Sequence, residues 1–216
     1  MAIKDPTQVK VRCRVSYVNL ATPANPMEGQ EGTPKFRLEC RLPENDEAVV
    51  AIRKAMKEAW LKKFGTDKKQ WKPLFREDNF FETHLSIDGK DGFFLRNGKF
   101  HSGDSEGYMG EVYFSASNKT RPICGKLVKG GWKRLVDEDD IRETIYSGCY
   151  CDVVIQCYAY DNKAAKAQGI GASVQAVVFA EDGERLSGSR MSDKDMNDLF
   201  GEEADPEALD EDELIV

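Results

Sequence analysis

The chemistry open to this chain is bounded first by what is scarce. His84 and His101 are the only imidazoles. No G-x-x-x-x-G-K-[ST] phosphate loop, G-x-S-x-G elbow or H-E-x-x-H pair occurs, so the usual carriers of phosphoryl transfer, acyl transfer and zinc hydrolysis are missing. Gly169-Ile170-Gly171 is a fragment of a dinucleotide fingerprint, but it opens a strand pattern instead of a helix. Asp78, Glu82, Asp88 and Asp104 are available to a metal-dependent nuclease, and their spacing specifies no cluster. Cys149-Tyr150-Cys151 with Cys157 invites zinc, yet this is not finger or ribbon spacing. No catalytic residue, metal or cofactor is assigned.

What is abundant is positive charge interleaved with flat rings, the two things a sequence-tolerant nucleic-acid surface needs: cations for phosphates and aromatic faces for bases. Lys10, Arg12 and Arg14 alternate with Val9, Val11, Cys13 and Val15, the period of a half-buried strand with a cationic outer face. Lys35, Arg37 and Arg41 alternate in the same way with Phe36, Leu38, Cys40 and Leu42. If these strands pair, their cations share one sheet face and repel each other unless something anionic lies over them. A second cationic group is Arg121, Lys126, Lys129, Lys133 and Arg134. The candidate stacking rings are Trp71 beside Lys72 in an aperiodic lysine-rich stretch, Tyr113 opposite Val112 and Phe114, Trp132 in a flexible Gly-Gly loop, and Tyr158 and Tyr160 alternating with Cys157 and Ala159. Each ring also has the reading of partial core packing.

The formal net charge of −7 conceals a division. Residues 193–216 hold eleven acids against the single Lys194, which leaves 30 basic and 27 acidic residues in 1–192. The expected organisation is one domain over 1–192 and a disordered acidic tail over 193–216. The tail ends Asp210, Glu211, Asp212, Glu213, Leu214, Ile215, Val216, an acidic run closed by three apolar residues. Such a peptide suits docking in a partner pocket ringed with cations, and it can also compete with a polyanion for the body's own cations.

The elements that must position these groups are mostly strands. After strands over 9–15 and 35–42, a helix is expected over 46–64, with Asn45 as its N-cap, Gly65 as its stop and Trp60 on its buried face. Residues 80–128 are rich in Asp-Gly and Asn-Gly turn signals, residues 137–146 form a short helix with an acidic first turn, and long strands follow over 150–160 and 170–180. Roughly seven strands and one or two helices result. The fold class is mainly β, an OB-like antiparallel barrel with one longer and one short helix; an immunoglobulin-like sandwich is the structural rival. The six cysteines are expected as buried free thiols. No apolar run is long enough for a bilayer crossing, and the start Met1-Ala2-Ile3-Lys4-Asp5-Pro6 lacks a secretory core, so no membrane partner is expected and the chain should stay in the cell that makes it.

Three segments then carry a resemblance: Tyr146-Ser-Gly-Cys-Tyr-Cys-Asp-Val-Val-Ile-Gln-Cys-Tyr-Ala-Tyr-Asp-Asn162, Gly169-Ile-Gly-Ala-Ser-Val-Gln-Ala-Val177 and Asp182-Gly-Glu-Arg-Leu186. They resemble phage single-stranded DNA-binding proteins long catalogued as a domain of unknown function. The resemblance spans most of residues 9–190 and implies an OB fold, sequence-tolerant coating of single strands in phage replication or recombination, and a tail that contacts replication or recombination proteins. It also implies residence in the cytoplasm of a bacterial host, and self-association on DNA is compatible with it. Bacterial tails of this type usually finish on Pro-Phe, whereas this one finishes on Leu-Ile-Val. An OB-fold RNA binder, a metal-dependent nuclease and an adaptor for an acidic protein are the other readings of the residues.

Overall fold

A computed structural model describes residues 4–26, 32–103, 106–162 and 167–186. The expected domain end at 192 and the tail residues Asp210 to Val216 lie outside the described residues.

The alternation in the first segments becomes two long strands. In β1 (Gln8–Ala24) the side chains of Val9, Val11, Cys13 and Val15 are buried, and in β2 (Lys35–Pro43) those of Leu38, Cys40 and Leu42. The two pair antiparallel, with Arg14 opposite Arg41 and Ser16 opposite Glu39; the register then slips, and Tyr17 takes a positive φ of 47° beside the irregularity. On its other edge β1 pairs residue for residue with β7 (Tyr150–Asn162), from Gln8 opposite Gln156 to Arg14 opposite Tyr150. β7 folds back on β8 (Ala167–Glu181), and β2 pairs with β4 (Glu111–Asn118), which carries the two-residue β3 (Arg96–Asn97) on its far edge.

The sheet then curls until β4 meets β8, where the Asn118 amide donates to the Val174 carbonyl at 3.0 Å. The ring β1-β2-β4-β8-β7 is the five-stranded Greek-key barrel of the OB fold. Two features depart from the sequence expectation. β5 (Ile123–Val128) runs parallel to β8, because β6, a helix and β7 intervene before the chain returns to that edge. The expected flexible loop around Trp132 is instead a hairpin: β6 (Gly131–Leu135) pairs with β5 across Gly130, whose φ of 85° turns the chain.

Helix α1 (Glu47–Phe64) packs against β7 and β1 through Val49, Ile52, Ala55, Met56, Ala59 and Trp60. Its cap is Asp46, one residue later than expected, whose carboxylate accepts from the Ala48 amide at 2.8 Å; Gly65 at φ 69° ends it. Trp60 stacks flat on Phe75 at 3.9 Å, and Phe80, Phe81 and Phe93 complete an aromatic cluster over the helix. Besides α2 (Phe80–Thr83), the short helix α3 (Glu138–Thr144) forms where the acidic turn predicts it, capped by Asp137. All six cysteines are buried and free, with the Cys149 and Cys151 sulfurs 3.5 Å apart.

Candidate nucleic-acid interface

Because strand side chains alternate, the residues of β2 and β4 that do not enter the core line up on the outer face, and there they form the floor of a cleft of about 290 Å³. β2 supplies Arg37 and Glu39, β4 supplies Tyr113 and Ser115, β3 supplies Arg96, and the walls are Tyr17 on one side and the turn 101–103 on the other. The rings form a ladder: Tyr17 on His101 (centroids 6.0 Å, 24° between planes), His101 on Tyr108 (4.0 Å, 11°), and Tyr113 edge-on to both.

This ladder is braced from behind. Glu39, 6% exposed, accepts hydrogen bonds from the Tyr108 hydroxyl at 2.6 Å and the Ser16 hydroxyl at 3.2 Å, and His101 Nε2 stands 3.5 Å from the same carboxylate oxygen. The buried guanidinium of Arg41 lies 3.8 Å over the Tyr108 ring and donates to Glu111 at 2.7 Å. Burial, and then the bond to Glu39, push the Tyr108 phenol well above its ordinary value, so it remains a donor. Arg96 sits over Tyr113 at 5.4 Å, and its buried Nε has no hydrogen-bond partner among the described residues. Of these rings only Tyr17, 55% exposed, has a face open to stack a base; the buried His101, Tyr108 and Tyr113 hold it in place, and the under-satisfied Arg96 guanidinium in the wall is able to hold a phosphate.

Of the residues expected from the sequence, Arg37 and Tyr113 line this cleft and Lys35 is exposed at the start of β2. Tyr113 leaves the core face as expected but is only 3% exposed, closed in by its neighbouring rings. Lys10 and Arg12 share the outer face of β1, and the anion over them comes from the protein itself. Asp152, opposite Arg12 on β7, takes bonds from Arg12 at 2.8 and 3.1 Å and from Lys10 at 3.0 Å. Arg14 donates to the carbonyls of Gly148 and Glu184. The repulsion expected on this face therefore does not by itself require a ligand.

Trp71 must be corrected outright. It is 6% exposed, meets Trp60 edge-on at 6.0 Å and donates its indole N–H to the Gly65 carbonyl at 3.2 Å, so it is a core residue. Lys72 is tied down by its amine to the Asp91 carbonyl at 2.6 Å. Arg121 bonds Glu138 and the Ala21 carbonyl and covers Phe36. Lys126, Lys129, Lys133 and Arg134 all lie on the β5–β6 hairpin, but Lys126 and Lys133 pair on the face opposite Trp132, which is 52% exposed, lies across Gly125 and shares its face with Arg134. Tyr158 and Tyr160 also face out from β7. Sequence reasoning missed Tyr17, Arg96 and His101 as cleft residues, and Tyr108 as the buried ring behind them; no spacing links them.

The comparisons bear on this geometry. A family profile described as "Enterobacter phage Enc34, ssDNA-binding protein" matches residues 7–210. The chain belongs to that family. Within the Enc34 family, a solved structure titled single-stranded DNA-binding protein from bacteriophage Enc34 in complex with ssDNA shares the fold at a TM-score of 0.63 and 23% identity, covering 87% of this chain and 96% of that one. A second solved structure of the bacteriophage Enc34 single-stranded DNA-binding protein gives 0.59 and 22%, over 91% and 96%. The p50 protein of Acyrthosiphon pisum secondary endosymbiont phage 1 is 36% identical over 96 residues, 44% of this chain and 46% of that relative, so the match spans about half of the relative's length. The fold shared with the Enc34 structures is the mainly β barrel described above.

Proposed function

We propose that this chain is a sequence-nonspecific single-stranded DNA-binding protein that coats and protects single strands during phage replication or recombination, without catalysis of its own. The observation that carries the reading is the cleft on β2–β4, where the exposed ring of Tyr17, braced from behind by His101 and the buried Tyr108, is set beside Arg37 and Arg96. Rings serve any base because every base has a π-face, and guanidinium groups serve any phosphate, so the cleft has the chemistry for single strands without sequence preference. The exposed Lys129, Trp132, Lys133 and Arg134 of the β5–β6 hairpin, with the half-buried Lys126, supply further contacts of the same two kinds. Lys10, Arg12, Arg14, Lys35 and Arg121 contribute field more than direct grip.

In this reading the acidic segment 193–216 competes with DNA for these cations and presents Leu214, Ile215 and Val216 to replication or recombination proteins in the cytoplasm of the bacterial host. The test is gel retardation of single-stranded DNA, RNA and duplex DNA by the full chain and by a chain ended after Ser192, with and without Mg²⁺. Preferential shift of single-stranded DNA, tightened by truncation most strongly at low salt, supports the reading. Equal retardation of RNA favours a general single-strand binder, and Mg²⁺-dependent loss of substrate reveals a nuclease.

A further inference from the structure

Away from the cleft, the beginning of β1, the middle of β7 and the last turn of α1 enclose a separate notch of about 270 Å³ lined by Thr7, Lys62, Lys63, Gln156 and Tyr158. Its floor is ordered: the Thr7 hydroxyl donates to Asp5 at 2.7 Å and receives the Gln156 amide, so the side chains of Asp5, Thr7 and Gln156 form one chain of hydrogen bonds. Its ring is set deliberately by a cross-strand glycine. Tyr158 is paired with Gly171, and the atoms nearest a Cβ built on Gly171 belong to the Tyr158 ring, at 2.5 Å for Cζ and 2.6 Å for the hydroxyl. Because Gly171 has no side chain, the ring rests with one face on the β8 backbone while the residue stays 46% exposed. Tyr160 sits over Gly169 in the same manner one pleat further on.

Lys62 and Lys63 are exposed cations at the C-terminal end of α1. Their place there is partly explained by the helix dipole, which favours cations at that end. The dipole does not explain why they border a flat, half-exposed ring. Asp5, whose carboxyl is held below the ordinary value by its bonds to Thr7, lies close enough to Lys62 to interact with it.

We propose that this notch is a second nucleotide-binding site, in which a base stacks on Tyr158 and its phosphate meets Lys62 and Lys63, so that a bound single strand runs along the outer face of β1 from the cleft to the notch. The proposal rests on the reading of the cleft given above. Gln8, next to Thr7, and Tyr17 are nine residues apart on β1, roughly 30 Å at the strand's rise, a span that takes several nucleotides. Arg14, Arg12 and Lys10 mark the way between the two sites.

The experiment is fluorescence anisotropy of the full chain with oligo-dT of about four and about sixteen nucleotides, the lower and upper site sizes of OB folds. The expected result is that Tyr158→Ala weakens binding of the longer oligonucleotide about tenfold or more, as loss of one stacked base implies. That loss exceeds the loss on the short oligonucleotide. Tyr158→Phe retains binding, Gly171→Ala, which tips the ring off its seat, reproduces the loss, and Lys62→Glu with Lys63→Glu lowers the salt dependence on the longer oligonucleotide alone. If these variants leave the longer oligonucleotide as tightly bound as the unaltered chain while Arg96→Glu weakens it, the notch is overturned and the cleft stands. If the unaltered chain holds neither oligonucleotide, the cleft reading fails and the notch with it.

Discussion

Arg12 and Asp152 stand opposite each other on the β1–β7 ladder, and the guanidinium grips the carboxylate with two bonds, Nε to Oδ1 at 2.8 Å and Nη2 to Oδ2 at 3.1 Å. Lys10 adds a third contact at 3.0 Å, so one buried acid restrains two of the outer-face cations. Replacing it releases them. Asp152→Asn is expected to steepen the salt dependence of oligo-dT binding by up to about 0.7 in log–log slope for each additional phosphate contacted. It should also lower stability by about 1–3 kcal/mol through the lost charge-assisted bonds. Salt-dependent anisotropy and urea unfolding check the two effects; an unchanged slope would take the β1 face off the strand's path.

The same pair sets a pH dependence. Burial alone would raise the Asp152 carboxyl, but the bonds from Arg12 and Lys10 outweigh burial and hold it below the ordinary carboxylate value. The folded-state value is thus lower than the unfolded one. Its stabilisation is present in full above about pH 4, the ordinary carboxylate range, and is lost as pH falls through the folded value. Urea unfolding of the unaltered chain and Asp152→Asn should give a constant stability difference from about pH 5 to pH 7 that shrinks below pH 4.

Two tryptophans separate packing from binding. Trp71→Ala empties a core position against Trp60 and Gly65 and should cost about 3–5 kcal/mol of stability while leaving the salt slope of binding unchanged. Trp132→Ala removes a ring that is half exposed on the hairpin, and should weaken oligo-dT binding by about 1–3 kcal/mol with little change in stability. Thermal unfolding and anisotropy on both variants decide the assignment, and a stability loss confined to Trp132→Ala would reverse it.

In the cleft, Arg96→Glu places a negative charge where the wall has an under-satisfied guanidinium over Tyr113. Weaker binding of oligo-dT, with a salt slope smaller by about 0.7 or more, is expected from the loss of a phosphate contact. Circular dichroism should report an intact fold, since Arg96 lies on the outer face at the sheet's edge strand.

The parts legible in the sequence are those whose signal is local. The alternation of Val9, Val11, Cys13 and Val15 announces β1, and the steps from Val49 to Trp60 announce α1, because each records a face already buried by its own element. β6 escaped because four of its five residues are exposed and Gly130-Gly131 reads as a loop; only pairing with β5 makes it a strand. Trp71 looked available among lysines, since the partners that bury it, Trp60 and Gly65, lie on the helix end that folds over it. Tyr17, Arg96, His101 and Tyr113 come from four separate elements and meet only after the barrel curls. Asp152 was visible as an acid, but its hold on Lys10 and Arg12 follows from cross-strand register, which no single segment encodes.

The measurement closest to the central claim is the affinity of the full chain for oligo-dT as a function of salt. A cationic outer face that grips phosphates predicts log affinity falling linearly with log salt, at a slope of about −0.7 per phosphate contacted, and stronger binding than to duplex DNA of equal length. An affinity that does not change with salt, or no affinity for single strands at low salt, would contradict it.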